Sequence, residues 1–177
     1  MAQMVNVAGV MGDSIVDGPG IRVAIFVQGC CHHCEGCHNP ESWAFGAGTD
    51  MSVEELFAMV KANPLCRGVT FSGGEPFCQA GALVPLAENL KAAGYELASY
   101  SGYTFEQLLA GTPEQKALLG LLDILVDGPF VLAQRNLDLL FRGSENQRIL
   151  DVPKSLATGS AVWCEAERWT GGTHPHA

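Results

Sequence analysis

Residues 21–40 read Ile21-Arg22-Val23-Ala24-Ile25-Phe26-Val27-Gln28-Gly29-Cys30-Cys31-His32-His33-Cys34-Glu35-Gly36-Cys37-His38-Asn39-Pro40. The first eight form a near-continuous apolar run, the pattern of a strand buried on both faces of a parallel sheet. The next twelve hold four thiols, three imidazoles and two glycines in a loop. A buried strand that empties into such a loop places it at the strand's C-terminal end, where parallel α/β folds keep their active sites.

The same strand–loop–helix rhythm continues downstream. Ser52 and Glu55 fit a capping box ahead of Val53, Leu56 and Val60, which predicts a helix over 52–62. Gly68–Phe71 reads as a short strand running into Ser72-Gly73-Gly74-Glu75-Pro76, and 79–93 has the apolar spacing of a helix that Gly94 ends. Residues 95–100 read as the next strand, followed by Ser101-Gly102-Tyr103 and a helix from Thr104. Pro113 opens another helix to residue 122, and 124–126 is a strand closed by Asp127-Gly128-Pro129. Residues 141–148 read as a polar loop, with one more strand at 149–152. Alternating β and α units of this length predict an α/β fold with a mostly parallel sheet, open or curled into part of a barrel.

Composition sets the outer limits. A chain of 177 residues, 47% hydrophobic and 16% charged, has material for one core, so a single domain over 1–169 is expected, with 170–177 as a flexible tail. The net charge of −9 leaves too few cations to neutralise phosphates, against a nucleic-acid partner. The longest apolar stretch, 118–126, is short and interrupted by Asp123, against a membrane span. Met1–Val10 carries no Lys or Arg and does not read as a secretory signal, so the expected location is the cytoplasm. Seven cysteines in a reducing compartment point to metal or redox chemistry rather than to a disulfide scaffold.

Among the loop thiols, Cys30, Cys34 and Cys37 are spaced C-x3-C-x2-C. Three thiolates around an iron–sulfur cluster leave one iron open to a small molecule that offers an amine and a carboxylate. Zinc is the alternative occupant: Cys30 or Cys31, His32, His33, Cys34, Cys37 and His38 could supply four ligands. Cys31, adjacent to a candidate ligand, reads as a spectator, and His32 and His33 as solvated. Cys66, Cys78 and Cys164 lack partners at metal spacing and read as small buried hydrophobes.

The cysteine spacing followed by Ser72-Gly73-Gly74-Glu75-Pro76 resembles the radical S-adenosylmethionine (SAM) superfamily, whose hallmark is that pair of motifs. Asp17-Gly18-Pro19-Gly20-Ile21-Arg22 and Cys37-His38-Asn39 with Trp43 look like the activating enzymes of glycyl-radical proteins. Ser101-Gly102-Tyr103-Thr104-Phe105, Leu125-Val126-Asp127-Gly128-Pro129-Phe130 and the segment Phe141–Arg148 resemble the anaerobic ribonucleotide reductase-activating proteins. Together these segments span about residues 13–152. Two positions depart from common patterns: Gly36 stands where many radical SAM enzymes have an aromatic residue, and His38 where reductase activators often have Tyr.

The resemblance implies a partial, TIM-like β/α barrel with Cys30, Cys34 and Cys37 holding a 4Fe–4S cluster whose fourth iron SAM chelates. It implies reductive cleavage of SAM to methionine and a deoxyadenosyl radical, which takes a hydrogen atom from a glycine of anaerobic ribonucleotide reductase. Reduced flavodoxin or ferredoxin is the implied electron donor. Ser72, Gly73, Gly74 and Glu75 are expected to meet SAM, with Gly36, Cys37 and His38 beside its adenine. Ser101 and Asp127 are candidates for its remaining polar groups. On this reading Gly74→Val keeps the cluster and weakens SAM binding. The alternatives are action on another glycyl-radical enzyme, or on a small molecule as in deazaguanine formation, and a zinc-binding interaction module.

Overall fold

The structure, a computed structural model, describes residues 3–171. The expected tail therefore lies outside the described residues from position 172, while Thr170 closes a helix. Seven strands, β1 (Met4–Ser14), β2 (Arg22–Val27), β3 (Thr49–Ser52), β4 (Gly68–Gly73), β5 (Glu96–Ser101), β6 (Ile124–Asp127) and β7 (Arg148–Asp151), form one sheet in the order β3-β1-β2-β4-β5-β6-β7. The four central strands run parallel, and β1, β3 and β7 are antiparallel to their neighbours. The fold is thus mixed α/β with a parallel centre.

The helices form where local chemistry starts and stops them. α1 (Val53–Lys61) begins with the Ser52/Glu55 capping box, and α4 (Pro113–Leu121) with Pro113 behind a Thr112/Gln115 box. α2 (Ala80–Ala92) gives way to Gly94 at a φ of 89°. α3 (Phe105–Leu109), α5 (Val152–Thr158) and α6 (Glu167–Thr170) are short. β1 escapes a pattern reading. Gly9 and Gly12 break its alternation, and its register with β2 shifts between Val7 and Gly9 and again between Met11 and Ser14.

Side-chain alternation divides the sheet into two faces. Val23, Ile25, Val69, Phe71, Leu97 and Leu125 join α1, α2 and α4 in the main core. On the other face, Ala98, Ile124, Val126 and Ile149 pack around Trp169 of α6, which is fully buried. The Arg22 guanidinium lies over the Trp169 ring at 5.3 Å and pairs with Glu96 at 2.9 Å. Arg22 also donates to Thr70 Oγ1 at 2.9 Å, and Arg168 pairs with Glu96 from outside. This plug fills the lower half of the second face, so the upper half, at the C-terminal strand ends, is what remains for a site.

Glu96 makes that plug sensitive to acid. Burial pushes its carboxyl up, but the Arg168 hydrogen bond and the Arg22 charge outweigh this and hold it below the ordinary 4.5. A carboxyl lowered in the folded chain binds fewer protons there than in the unfolded chain. Its contribution is therefore full above about pH 4.5 and is lost as pH falls through the folded value. Glu96→Gln is expected to lower stability by about 2 kcal/mol at neutral pH, since it strips a buried arginine of its counter-charge. Denaturant melts should show that deficit shrinking in acid; a deficit constant with pH would remove the ionic account.

Candidate active site

A cavity of about 300 Å³ opens at the C-terminal ends of the parallel strands. Cys30, Cys34 and Cys37 line it from one side, and Ser72, Gly73 and Gly74 from another. Ser101 ends β5 and Gly102 follows it, Gly128 and Phe130 follow β6, and Tyr100 reaches in from the sheet face. Segments separated by up to a hundred residues thus meet because each lies at or just beyond the C-terminal end of a parallel strand.

The cysteine loop is held by backbone. Gly29 N–H donates to Ser42 O at 2.7 Å and Cys30 N–H to Trp43 O at 3.1 Å. Cys37 N–H closes a turn on Cys34 O at 3.1 Å, with Gly36 between them at a φ of 77°. Burial pushes the Cys30 thiol up, opposed by the backbone N–H groups of His32 and His33, which hydrogen-bond to its sulfur. Asn39 N–H points at the Cys37 sulfur at 3.4 Å. Backbone donors aimed at sulfur stabilise thiolate ligands.

The Gly73–Glu75 turn is docked onto that loop. Gly74 N–H donates to Val27 O and Glu75 N–H to Gly29 O, both at 2.8 Å. A Cβ on Gly74 would stand 2.3 Å from Gly29 O, and one on Gly73, whose φ is 92°, 2.6 Å from the Val27 backbone. Gly74 is therefore required by the packing of one loop on the other, and Gly73 by its close approach to the end of β2.

Glu75, Ser101 and Asp127 are engaged within the protein. Glu75 is fully buried; its carboxylate accepts from Gly102 N–H at 2.7 Å, Phe77 N–H at 2.9 Å and Ser101 Oγ at 2.9 Å, and bonds His32 Nε2 at 2.7 Å. It ties the cysteine, glycine and Ser101 loops together. His32, expected to be solvated, is one arm of this brace and packs edge-on against Tyr103 at 4.6 Å. Ser101 lines the cavity with its hydroxyl turned to Glu75. Asp127, also buried, accepts from Phe105 N–H at 2.7 Å and from Arg148 at 3.0 and 2.5 Å, and does not line the cavity. Its carboxylate thereby links α3 and β7.

Gly36 and His38 face the loop after β6. A Cβ on Gly36 would meet Leu132 at 2.8 Å and Phe130 at 3.3 Å, and the His38 ring lies 5.5 Å from that of Phe130. The φ of 77° at Gly36, a conformation that side-chain-bearing residues rarely adopt, accounts for the glycine where an aromatic residue is common. Tyr100, Phe130 and Gln147 line the cavity although no spacing singled them out. Phe130 and Gln147 lie in segments that carried the family resemblance, and Tyr100 alternates with buried Ala98 in β5.

The donor set suits an iron–sulfur cluster. Among the described residues no three His, Cys, Asp or Glu side chains are gathered as ligands of a single ion. A lone zinc needs its ligands converging at about 2.0–2.3 Å, whereas a cluster spreads three thiolates over three irons. In the same wall, the Trp43 indole N–H is buried without an acceptor among the described residues, as suits a neighbour rich in acceptors.

Comparison with known proteins agrees. Residues 16–150 match the family model described as a 4Fe-4S single cluster domain. An anaerobic ribonucleoside-triphosphate reductase-activating protein of Vibrio cholerae is 36% identical over 143 residues, covering 76% of this chain and 90% of the relative. The Haemophilus influenzae protein of that name is 34% identical over the same shares. A pyruvate formate-lyase-activating enzyme of Listeria monocytogenes is 44% identical over 84 residues, covering 45% of this chain and 34% of that enzyme.

Proposed function

The chain belongs to the family of anaerobic ribonucleoside-triphosphate reductase-activating proteins, and on that premise we propose that it generates a glycyl radical on an anaerobic ribonucleotide reductase. It is a radical SAM enzyme with a 4Fe–4S cluster and SAM as cofactors. The observation that carries the reading is the convergence of Cys30, Cys34 and Cys37 with Ser72–Gly74 on one cavity at the parallel strand ends. When bound, the cluster supplies the electron that cleaves SAM, and the resulting radical removes a hydrogen atom from the target glycine.

In this reading Cys30, Cys34 and Cys37 hold three irons. The Gly74 and Glu75 N–H groups are spent on β2 and the cysteine loop, so carbonyl oxygens of the glycine segment would receive the SAM amine. Gly36, Cys37 and His38 form the wall assigned to adenine, with Phe130 beside His38. Glu75 acts as a positioning residue that keeps three loops in register. The parallel centre β2-β4-β5-β6, flanked by antiparallel β1 and β7, is read as an incomplete barrel that stays open at the side. That opening admits a peptide, and the partner supplies the missing wall that shields the radical.

Reduced flavodoxin or ferredoxin is the proposed donor. No helix of the described residues is long and apolar enough to cross a membrane, and a cytoplasmic location is proposed with the family.

Anaerobic mixing of the loaded protein with reductant, SAM and a matched reductase should produce a glycyl-radical electron paramagnetic resonance signal on the reductase. The signal should vanish when the target glycine is replaced by alanine. SAM cleavage without the partner should be slow. Turnover of a nucleotide-like small molecule, with no radical on any protein, would overturn the reading.

A further inference from the structure

Two thiols outside the ligand set meet on the outer side of the cysteine loop. Cys31, next to Cys30, is exposed, and its sulfur lies 3.2 Å from the Tyr103 hydroxyl. Cys78 is half-buried in the 3-10 turn Pro76–Gln79, directly after the glycine segment, and donates its S–H to the Cys31 sulfur at 3.8 Å. Neither residue lines the cavity. An exposed thiol is not core packing, and two free thiols this close on separate loops need only a small loop movement to reach a bonding distance of about 2.05 Å.

We propose that Cys31 and Cys78 are a reversible redox pair, closed to a disulfide by exchange with a low-molecular-weight disulfide. The pairing stands on the two thiols whatever the cavity holds; its role, a covalent clamp between the cluster loop and the SAM loop, rests on the function proposed above. Cys31 is exposed and Cys78 half-buried, so Cys31 meets the oxidant first. Cys31 gives up its proton and its sulfur attacks one sulfur of glutathione disulfide, forming the Cys31–glutathione bond. The glutathione S–S bond breaks, and the one glutathione released takes the Cys31 proton. The Cys78 sulfur then attacks the Cys31 sulfur and expels the second glutathione, which takes the Cys78 proton. Two protein thiols are oxidised by two electrons, and one glutathione disulfide is reduced to two thiols.

The test treats cluster-loaded protein anaerobically with glutathione disulfide, then alkylates, digests and weighs the peptides. The expected product joins the Cys31 and Cys78 peptides, lighter by two hydrogens, is reopened by dithiothreitol and leaves iron content unchanged. Cys78→Ser should hold glutathione on Cys31 and form no link; Cys31→Ser should form neither link nor adduct at Cys78. Both variants should keep their iron, which shows that they fold. Hydrogen exchange over residues 30–37 should slow in the linked protein. No link in the wild type, a link through Cys30, Cys34 or Cys37, or unchanged exchange would overturn the proposal. Protein that never takes up iron would instead count against the cluster reading, while the thiol pairing remains readable by mass.

Discussion

Single replacement of Cys30, Cys34 or Cys37 by alanine is expected to take iron from about four atoms per chain to near none, and SAM cleavage with it. Each thiol lines the cavity, and among the described residues no fourth thiol lines it that could substitute. Cys31→Ala should keep the brown colour and the cleavage activity. Its sulfur faces Tyr103 and Cys78 on the other side of the loop, so reaching the cavity would require the loop to turn over and break the Gly29 and Cys30 backbone bonds. Iron analysis and detection of 5′-deoxyadenosine decide the matter. A colourless Cys31→Ala beside a brown Cys30→Ala would shift the ligand register by one residue.

Gly74→Val is expected to lose the cluster as well as SAM binding, and to lower stability by about 3 kcal/mol. The motif alone suggests a milder outcome, with a branched side chain obstructing SAM and the cluster intact. The structure aims the Cβ elsewhere: 2.3 Å from Gly29 O and 3.0 Å from Ser42 O, into the backbone that carries Cys30. Backbone on both sides cannot yield as a flexible side chain would, so the glycine segment must lift off the cysteine loop. The Gly74 and Glu75 bonds to Val27 and Gly29 would break, and Glu75 would be drawn away from His32 and Ser101. Ser72→Ala, which adds no atoms, is the control and should load iron normally. Full iron content with a selective SAM defect in Gly74→Val would restore the simpler view of this glycine.

Several features were legible from residue order because their physics is local. The Ser52/Glu55 box starts α1, Pro113 starts α4, and Gly94 follows α2, each set by backbone groups within one turn. The run Ile21–Gln28 reads as a strand covered on both faces, and the motif loops fall at strand ends because parallel strands share one direction. The C-x3-C-x2-C spacing with the glycine segment likewise carried the resemblance to the radical SAM superfamily, since both motifs are read from residue type and interval.

What depended on distant partners could be decided only by the tertiary structure. β1 is a strand because β2 and β3 offer it hydrogen bonds on both sides, which outweighs the glycines and bulges that hide its pattern. Trp169 fills the lower half of the second sheet face only because α6 returns to it from the far end of the chain. Glu75 and Asp127 carry the residue types of ligands, yet a buried carboxylate goes to the donors that surround it. Those donors, His32, Ser101 and Gly102 for Glu75 and Phe105 and Arg148 for Asp127, come from other loops. Cys31 and Cys78 are 47 residues apart and share no motif, so their 3.8 Å approach follows from the docking of the glycine segment on the cysteine loop. Residue order determined which groups exist and at what interval, and packing decided which of them had hydrogen-bonding capacity left for a ligand.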